Sequence, residues 1–297
     1  MSETLRQRLA RAPAVHAPGA YDALSALLIE QAGFEAVYLS GASIAYTQLG
    51  RPDLGLVGVD QVADTVARIC ERVTIPLIVD ADTGFGNALN VRRTVKAFER
   101  NGARAIQIED QAAPKRCGHL AGKTLVAPET MVGKVRAALD ARASDETLIV
   151  ARTDAIGVEG LAAALDRAER YLEAGADVIF VEAPRDPDQM RQVVGRLGRA
   201  PLVANMVEGG QTPLASAAEL SDMGFRLVIS PGALVRAFLP MAEAFLRDLR
   251  AQGSTRNWRE RMVDLRGLNQ RIGLDEMLSL GDAYEGAPPP GSRAAAE

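Results

Sequence analysis

Four times along this chain a helical pattern ends in a glycine, and a short β-branched run opens three residues later. Ala32-Gly33 leads into Ala36-Val37-Tyr38-Leu39, and Asn101-Gly102 into Ala105-Ile106-Gln107-Ile108. Ala174-Gly175 leads into Val178-Ile179-Phe180-Val181, and Met223-Gly224 into Leu227-Val228-Ile229. A glycine just past a helix takes the left-handed conformation that turns the chain back. Short apolar runs alternating with helical patterns indicate parallel strands covered on both faces.

Eight such strands can be placed. They are Ala14–His16, Ala36–Ser40, Leu77–Asp80, Ala105–Glu109, Leu148–Arg152, Val178–Glu182, Leu202–Asn205 and Leu227–Ser230. Amphipathic segments separate them, among them Asp60–Arg72, Asn90–Arg100, Pro128–Ala141 and Val158–Glu173. Eight βα units predict an α/β fold of the (β/α)8, TIM-barrel type. A doubly wound sheet is the alternative, but no Gly-x-Gly-x-x-Gly follows the first strand. The 297 residues suit that expectation, since such barrels use about 250 residues as one domain. We therefore expect a single barrel domain with a helical extension over residues 1–284. The extension comprises helices at Phe238–Arg250, Arg256–Gln270 and Leu274–Gly281. A barrel needs one helix after its last strand, so the surplus must bury apolar sides elsewhere. Residues 285–297, rich in Pro, Gly and Ala, are expected to be a disordered tail.

Charge and cysteine content exclude several functions. Net charge is −4 and basic residues are scattered, which leaves no footprint for nucleic acid. No apolar run reaches the roughly 18 residues that span a membrane. The start, Met1 to Pro13, lacks a signal peptide's apolar centre; its arginines Arg6, Arg8 and Arg11 read as part of a first amphipathic helix. Two cysteines, Cys70 and Cys117, make no disulfide framework, and cytoplasm is the default location.

Barrel chemistry sits at the C-terminal ends of the strands. Read in order, those ends are Ser40, Asp80 with Asp82, Glu109, Arg152, Glu182, Asn205 and Ser230. Asp80 and Asp82, at i and i+2, should point the same way, with Glu109 on the neighbouring strand. Such an oxygen-only cluster suits Mg²⁺, or Mn²⁺ in its place; the plainer reading makes Asp82-Thr83-Gly84 a turn. The loop Lys115-Arg116-Cys117-Gly118-His119 holds one of two cysteines and one of two histidines among cations, which are surroundings that make a thiol chemically useful. Zinc would need further soft ligands, and only Cys70 and His16 remain. Cys70 lies in a helical pattern and reads as core. A Cys–His nucleophile lacks an oxyanion-hole signature. Gly209-Gly210 before Thr212 and Pro231-Gly232 near Arg236 read as tight turns or as an anion site. Together with Arg152 and Lys115 they suggest a substrate with more than one negative group.

With these residues in hand, the chain resembles the isocitrate lyase/phosphoenolpyruvate mutase superfamily from about Gly19 to Gly286. The motifs are Tyr38-Leu39-Ser40-Gly41, Pro52-Asp53-Leu54-Gly55 and Asp80-Ala81-Asp82-Thr83-Gly84-Phe85-Gly86. They continue with Ile108-Glu109-Asp110-Gln111, Lys115-Arg116-Cys117-Gly118-His119 and Ala151-Arg152-Thr153-Asp154-Ala155. The resemblance implies a (β/α)8 barrel, a homotetramer and a C-terminal helix exchanged between subunits. It implies Asp82 as the direct Mg²⁺ ligand, with Asp53, Asp80 and Glu109 acting through water. By the same resemblance Ser40, Gly41, Ala42 and Arg152 hold the 2-oxo-acid carboxylate, and Glu182, Asn205, Thr212 and Arg236 surround the other carboxylate. Gly118 and His119 close over the substrate, Cys117 is the catalytic acid and Tyr38 the candidate base.

The cysteine loop marks the carbon–carbon lyase branch. Lys115 to His119 is similar to 2-methylisocitrate lyases, whereas Asn205 to Pro213 and Gly273-Leu274-Asp275-Glu276 are similar to 2,3-dimethylmalate and 2-alkylmalate lyases. Ala42 departs from the glycine common in the former. Asn205 differs from oxaloacetate decarboxylases. The implied reaction is Mg-dependent cleavage of a 2-hydroxy di- or tricarboxylate to a 2-oxo acid such as pyruvate plus a carboxylate. The alternatives are oxaloacetate decarboxylation, phosphonate processing on the same barrel, or a non-catalytic dicarboxylate sensor.

Overall fold

The computed structural model describes residues 3–118 and 122–285. Eight parallel strands close into a barrel in sequence order: β1 Val15–Ala20, β2 Val37–Leu39, β3 Leu77–Asp80, β4 Ala105–Glu109, β5 Leu148–Thr153, β6 Val178–Val181, β7 Leu202–Asn205 and β8 Leu227–Ser230. Closure is made by β1 on β8, with Val15 opposite Leu227 and Pro18 opposite Ser230. The (β/α)8 expectation is met.

The first strand, expected over Ala14–His16, runs on through Pro18 and Gly19 to Ala20. Gly19 is needed there: a Cβ on it would lie 1.9 Å from the Pro231 carbonyl oxygen. Helices surround the barrel, namely α1 Leu5–Leu9, α2 Ala23–Gln31, α3 Gly41–Ile44, α4 Val59–Arg72, α5 Ala88–Arg100 and α6 Pro128–Ala141. They continue as α7 Leu161–Glu173, α8 Pro187–Leu197 and α9 Ala217–Met223, and β8 is followed by α10 Ala233–Gln252, whose first turn belongs to the same unit. Side-chain oxygens start several of them, Asp22 for α2, Asn87 for α5, and Ser216 with Glu219 for α9, by accepting from the unpaired first N–H groups. The seventh helix begins at Leu161, after a 3-10 turn at Ala155–Gly157, because Gly160 sits at φ 90°.

Two apolar layers follow from strand alternation. Val37, Leu39, Leu77, Val79, Ile106, Ile108, Ile149 and Ala151 face outward into the layer shared with the helices. Tyr38, Ile78, Ala105, Leu148, Val150, Val178, Phe180, Val203 and Ile229 face inward and fill the barrel. Leu5 and Leu9 of α1 belong to the same inner cluster. Continued upward, the inward positions become Asp80, Glu109, Arg152, Glu182 and Asn205, so the parity that packs the barrel also aims the polar groups.

The chain divides into two compact units, Met1–Ala237 and Phe238–Glu297. The second holds the remainder of α10, a 3-10 segment at Arg256–Arg261, α11 Leu265–Arg271 and α12 Leu274–Tyr284. One helix was expected over Arg256–Gln270. It breaks at Asp264, whose carboxylate caps α11 by accepting from Gly267 N at 2.7 Å. Trp258 is buried, edge-on to Phe245 at 5.4 Å, and donates to Asp248 at 2.9 Å. The expected tail lies, from residue 286 onward, outside the described residues. Among the described residues no helix is long and apolar enough to cross a membrane.

Candidate active site

A cavity opens at the C-terminal mouth of the barrel, and most of the residues singled out in the sequence line it. From β2 and β3 come Tyr38, Ser40, Ala42 and Asp80, and from β4 and β5 come Glu109 and Arg152. Glu182 and Asn205 line it from the ends of β6 and β7, Arg236 from the helix after β8, and Asp53, Lys115, Cys117 and Gly118 from loops. Gly41 stands just beside, where a Cβ would lie 3.3 Å from Asp82 Oδ1 and 3.4 Å from Asp80 Oδ2. Thr212 is buried off the cavity wall, with its hydroxyl unpartnered. His119 lies outside the described residues.

The acid cluster sits on a strained turn. Asp82 has φ 47°, the left-handed region uncommon for residues other than glycine. Its N–H donates to Asp80 Oδ1 at 3.1 Å, and Gly84 N donates to the Ala81 carbonyl at 2.7 Å. Lys134, from α6, grips the turn by donating to the Thr83 carbonyl at 2.8 Å. The segment is therefore a turn, and it brings Asp80 and Asp82 together. Lys115 Nζ lies 2.6 Å from Asp53 and 2.6 Å from Asp82, so its ammonium faces the acid cluster.

Burial dominates the electrostatics. It pushes the Asp82 carboxyl up to about 7 despite Lys115, with Asp80 and Asp53 adding repulsion. Burial likewise holds Glu109 well above the carboxylate range, opposed by Arg152. Asp82 Oδ1 and Glu109 Oε1 are buried without a hydrogen-bond partner, although the former is ion-paired to Lys115. Among the described residues no three His, Cys, Asp or Glu side chains stand in metal-holding proximity. The donor set nonetheless fits a hard cation: it is all oxygen, Asp53, Asp82 and Glu109 are buried and Asp80 partly so, and Asp82 Oδ1 and Glu109 Oε1 lack hydrogen-bond partners. Asp82, with Asp53, Asp80 and Glu109, would hold it.

Arg152 is the counterweight. Its guanidinium donates twice to Asp154, at 2.9 and 3.0 Å, and lies 3.3 Å from Glu109 and 3.2 Å from Glu182. It also lies over the Phe180 ring at 4.9 Å. Burial alone would push the Asp154 carboxyl up, but Arg152 and then Lys123 hold it near about 2. Glu182 bends back to accept from Ala183 N at 2.8 Å, and Asn205 donates to it at 3.0 Å. Gly118 packs against this pair: a Cβ there would fall 2.2 Å from Arg152 Nη2 and 2.9 Å from Glu182 Cγ. Only a glycine lets the backbone beside Cys117 approach so closely.

Tyr38 is buried and donates to Gln107 at 2.9 Å, and Gln107 donates in turn to Asp80 at 3.2 Å. Burial, then the negative Asp80, raise the phenol well above its ordinary pKa. Tyr38 is thus a hydrogen-bond donor here. The base role expected from the sequence needs the phenolate, which a positive charge brought into the pocket would favour.

The sequence reading missed three groups. Gln107 sits inside an apolar strand run, where a lone amide is the available signal. Tyr46, on a π-helical turn at Ala45–Leu49, lines the cavity; π turns frequently mark functional sites. Asp110, fully buried behind the wall, accepts from Thr153 at 2.7 Å, Asp154 N at 3.0 Å and Tyr171 at 2.8 Å. Cys70 behaves as core, half-buried with its thiol pushed up to about 11 by burial.

A barrel that collects its ionisable residues at the C-terminal mouth is an enzyme scaffold, and this mouth pairs an acid cluster with a thiol-bearing loop. The chain belongs to the phosphoenolpyruvate phosphomutase family, whose model matches residues 5–250, and so to the superfamily that its motifs resemble. It is 49% identical to 2-methylisocitrate lyase of Aeropyrum pernix, over 85% of this chain and 81% of that one. It is 40% identical to 2,3-dimethylmalate lyase of Eubacterium barkeri, over 94% and 96%. It superposes with a TM-score of 0.85 and 31% identity on phosphonopyruvate hydrolase in complex with oxalate and Mg²⁺, covering 95% and 98% of the two chains.

Proposed function

We propose that the chain is a divalent-cation-dependent carbon–carbon lyase. It cleaves a 2-hydroxy di- or tricarboxylate of the 2-methylisocitrate, 2,3-dimethylmalate or 2-alkylmalate type into a 2-oxo acid and a second carboxylate. One observation supports this reading: Cys117, which we assign as the proton donor, lines the same cavity as Asp80, Glu109 and Arg152.

The chemistry follows from what bond cleavage demands. The substrate hydroxyl loses its proton, for which Tyr38 is the assigned acceptor once positive charge favours its phenolate. The C2–C3 bond then breaks, its electron pair leaving on C3. That carbon, stabilised by its carboxylate, is a strong base and must be protonated before water reaches it. Cys117 Sγ gives the proton, and Gly118 lets the loop lie close enough to do so. A divalent cation held by Asp82, Asp53, Asp80 and Glu109 would supply Lewis acidity toward the hydroxyl and its neighbouring carboxylate. Ser40, Gly41 and Ala42 begin α3, where backbone N–H groups favour an anion, and we assign them that carboxylate. Glu182, Asn205, Thr212 and Arg236 are assigned to the region of the other.

The test is a substrate panel. Purified protein with Mg²⁺ is incubated with 2-methylisocitrate, 2,3-dimethylmalate, 2-alkylmalates and oxaloacetate, and the 2-oxo acid released is measured. A preferred 2-hydroxy di- or tricarboxylate supports the reading. Release of CO2 or phosphate as the main product points to the decarboxylase or phosphonate alternatives. Treatment with EDTA should abolish turnover, and Mg²⁺ or Mn²⁺ should restore it; full activity without divalent ion refutes the cation's role.

We also propose a homotetramer with exchange of C-terminal helices. Its support is apolar surface within the second unit, where Leu246, Leu265, Met277, Leu278 and Tyr284 are all exposed; patches of that kind usually mark interfaces. Light scattering should return the mass of four chains, and a monomer at micromolar concentration would rule the assembly out.

A further inference from the structure

The loop that carries Cys117 is tied down on both sides by side chains outside the proposed chemistry. Its stem closes where Ala112 N donates to the Thr124 carbonyl at 2.8 Å and Val126 N to the Asp110 carbonyl at 2.9 Å. Before Cys117, the Gln111 amide grips the main chain of Arg116, accepting from its N–H at 3.0 Å and donating to its carbonyl at 2.9 Å. After Cys117, the ammonium of Lys123 donates to the Gly118 carbonyl and, at 3.0 Å, to Asp154 Oδ1. That ammonium is buried, its side chain 4% exposed beside a fully buried Asp154. Gly157 adjoins it: a Cβ there would stand in ordinary contact, 3.6 Å from Lys123 Nζ.

We propose that Lys123 is a positioning residue, which fixes the Cys117–Gly118 turn against Arg152 by bridging the Gly118 carbonyl to Asp154. The inference rests on the reading of Cys117 as proton donor. Asp154 is well suited as the anchor, because two groups already immobilise it. Arg152 holds both of its oxygens. Asp110, itself held by Thr153 and Tyr171, accepts from its backbone N–H. Lys123 therefore refers the loop to the guanidinium that packs on Gly118. A methionine would fill similar space but donate nothing, leaving the Gly118 carbonyl and one Asp154 oxygen without that ammonium.

Alkylation of the full-length protein by iodoacetamide, with peptide mapping to separate Cys117 from Cys70, tests this. In Lys123→Met, Cys117 should react about tenfold faster as the turn loosens and exposes the thiol, while Cys70 reacts at the wild-type rate. The kcat should fall about 10²-fold, as expected for a displaced catalytic group, with KM changing far less. Lys123→Arg, which still donates to both oxygens, should recover part of each effect. Loss of a nearby cation alone would slow Cys117, because the thiolate is less favoured. Slower or unchanged Cys117 alkylation, with Cys70 unchanged, therefore overturns the proposal. If the wild type cleaves no 2-hydroxy di- or tricarboxylate, the lyase reading falls, and the alkylation contrast still decides the role of Lys123.

Discussion

Cys117→Ala should lower turnover by about 10²- to 10⁴-fold, the usual worth of a positioned general acid. Binding of the 2-oxo acid product should be nearly intact, since the thiol is assigned to proton delivery. The matching control is Cys70→Ala, which alters a half-buried thiol near Gly102 and away from the cavity. Steady-state kinetics and product titration together separate the two variants. Turnover of Cys117→Ala at the wild-type rate would show that another group protonates the leaving carbon.

The second large effect concerns stability. Arg152→Met removes a guanidinium that faces Glu109, Asp154 and Glu182, all of them buried. Removing one partner of a buried ion pair typically costs about 3–5 kcal/mol, because the charge left behind is uncompensated. Urea unfolding should show the midpoint falling at unchanged slope. Arg152→Lys should lie between the two, keeping the charge but losing the two-pronged hold on Asp154. An Arg152→Met variant as stable as the wild type would mean that the three carboxyls do not depend on this cation.

The barrel was legible because its signals are local. Gly33, Gly102, Gly175 and Gly224 all cap helices or follow their ends with positive φ, and each announces the strand behind it. Ser40, Asp80, Glu109 and Arg152 could be placed at the mouth because they end their strands. What stayed illegible depends on contacts distant in sequence. Lys115 reads as a cation beside a thiol, yet it reaches back to Asp53 and forward to Asp82. Arg152 reads as a carboxylate clamp for a ligand, yet its own neighbours Asp154, Glu109 and Glu182 surround it. Asp110 lies in a motif that gives it no role, Lys123 lies in none, and only the folded chain shows them bracing Asp154. The break at Asp264 was missed because a capping aspartate and a helix-interior aspartate look alike until the φ and ψ angles are known.

The two-sided strands have a consequence for how such a chain can change. Outward residues such as Ile106, Ile108 and Ile149 lock sheet to helices, while the inward residues beside them turn polar toward the rim. A substitution at Asp80, Glu109 or Asn205 thus alters reactivity without touching the sheet-to-helix contacts, provided that the pairs around it remain balanced in charge. Scaffold and chemistry are written on alternate letters of the same eight short segments, so one can be rewritten while the other is kept.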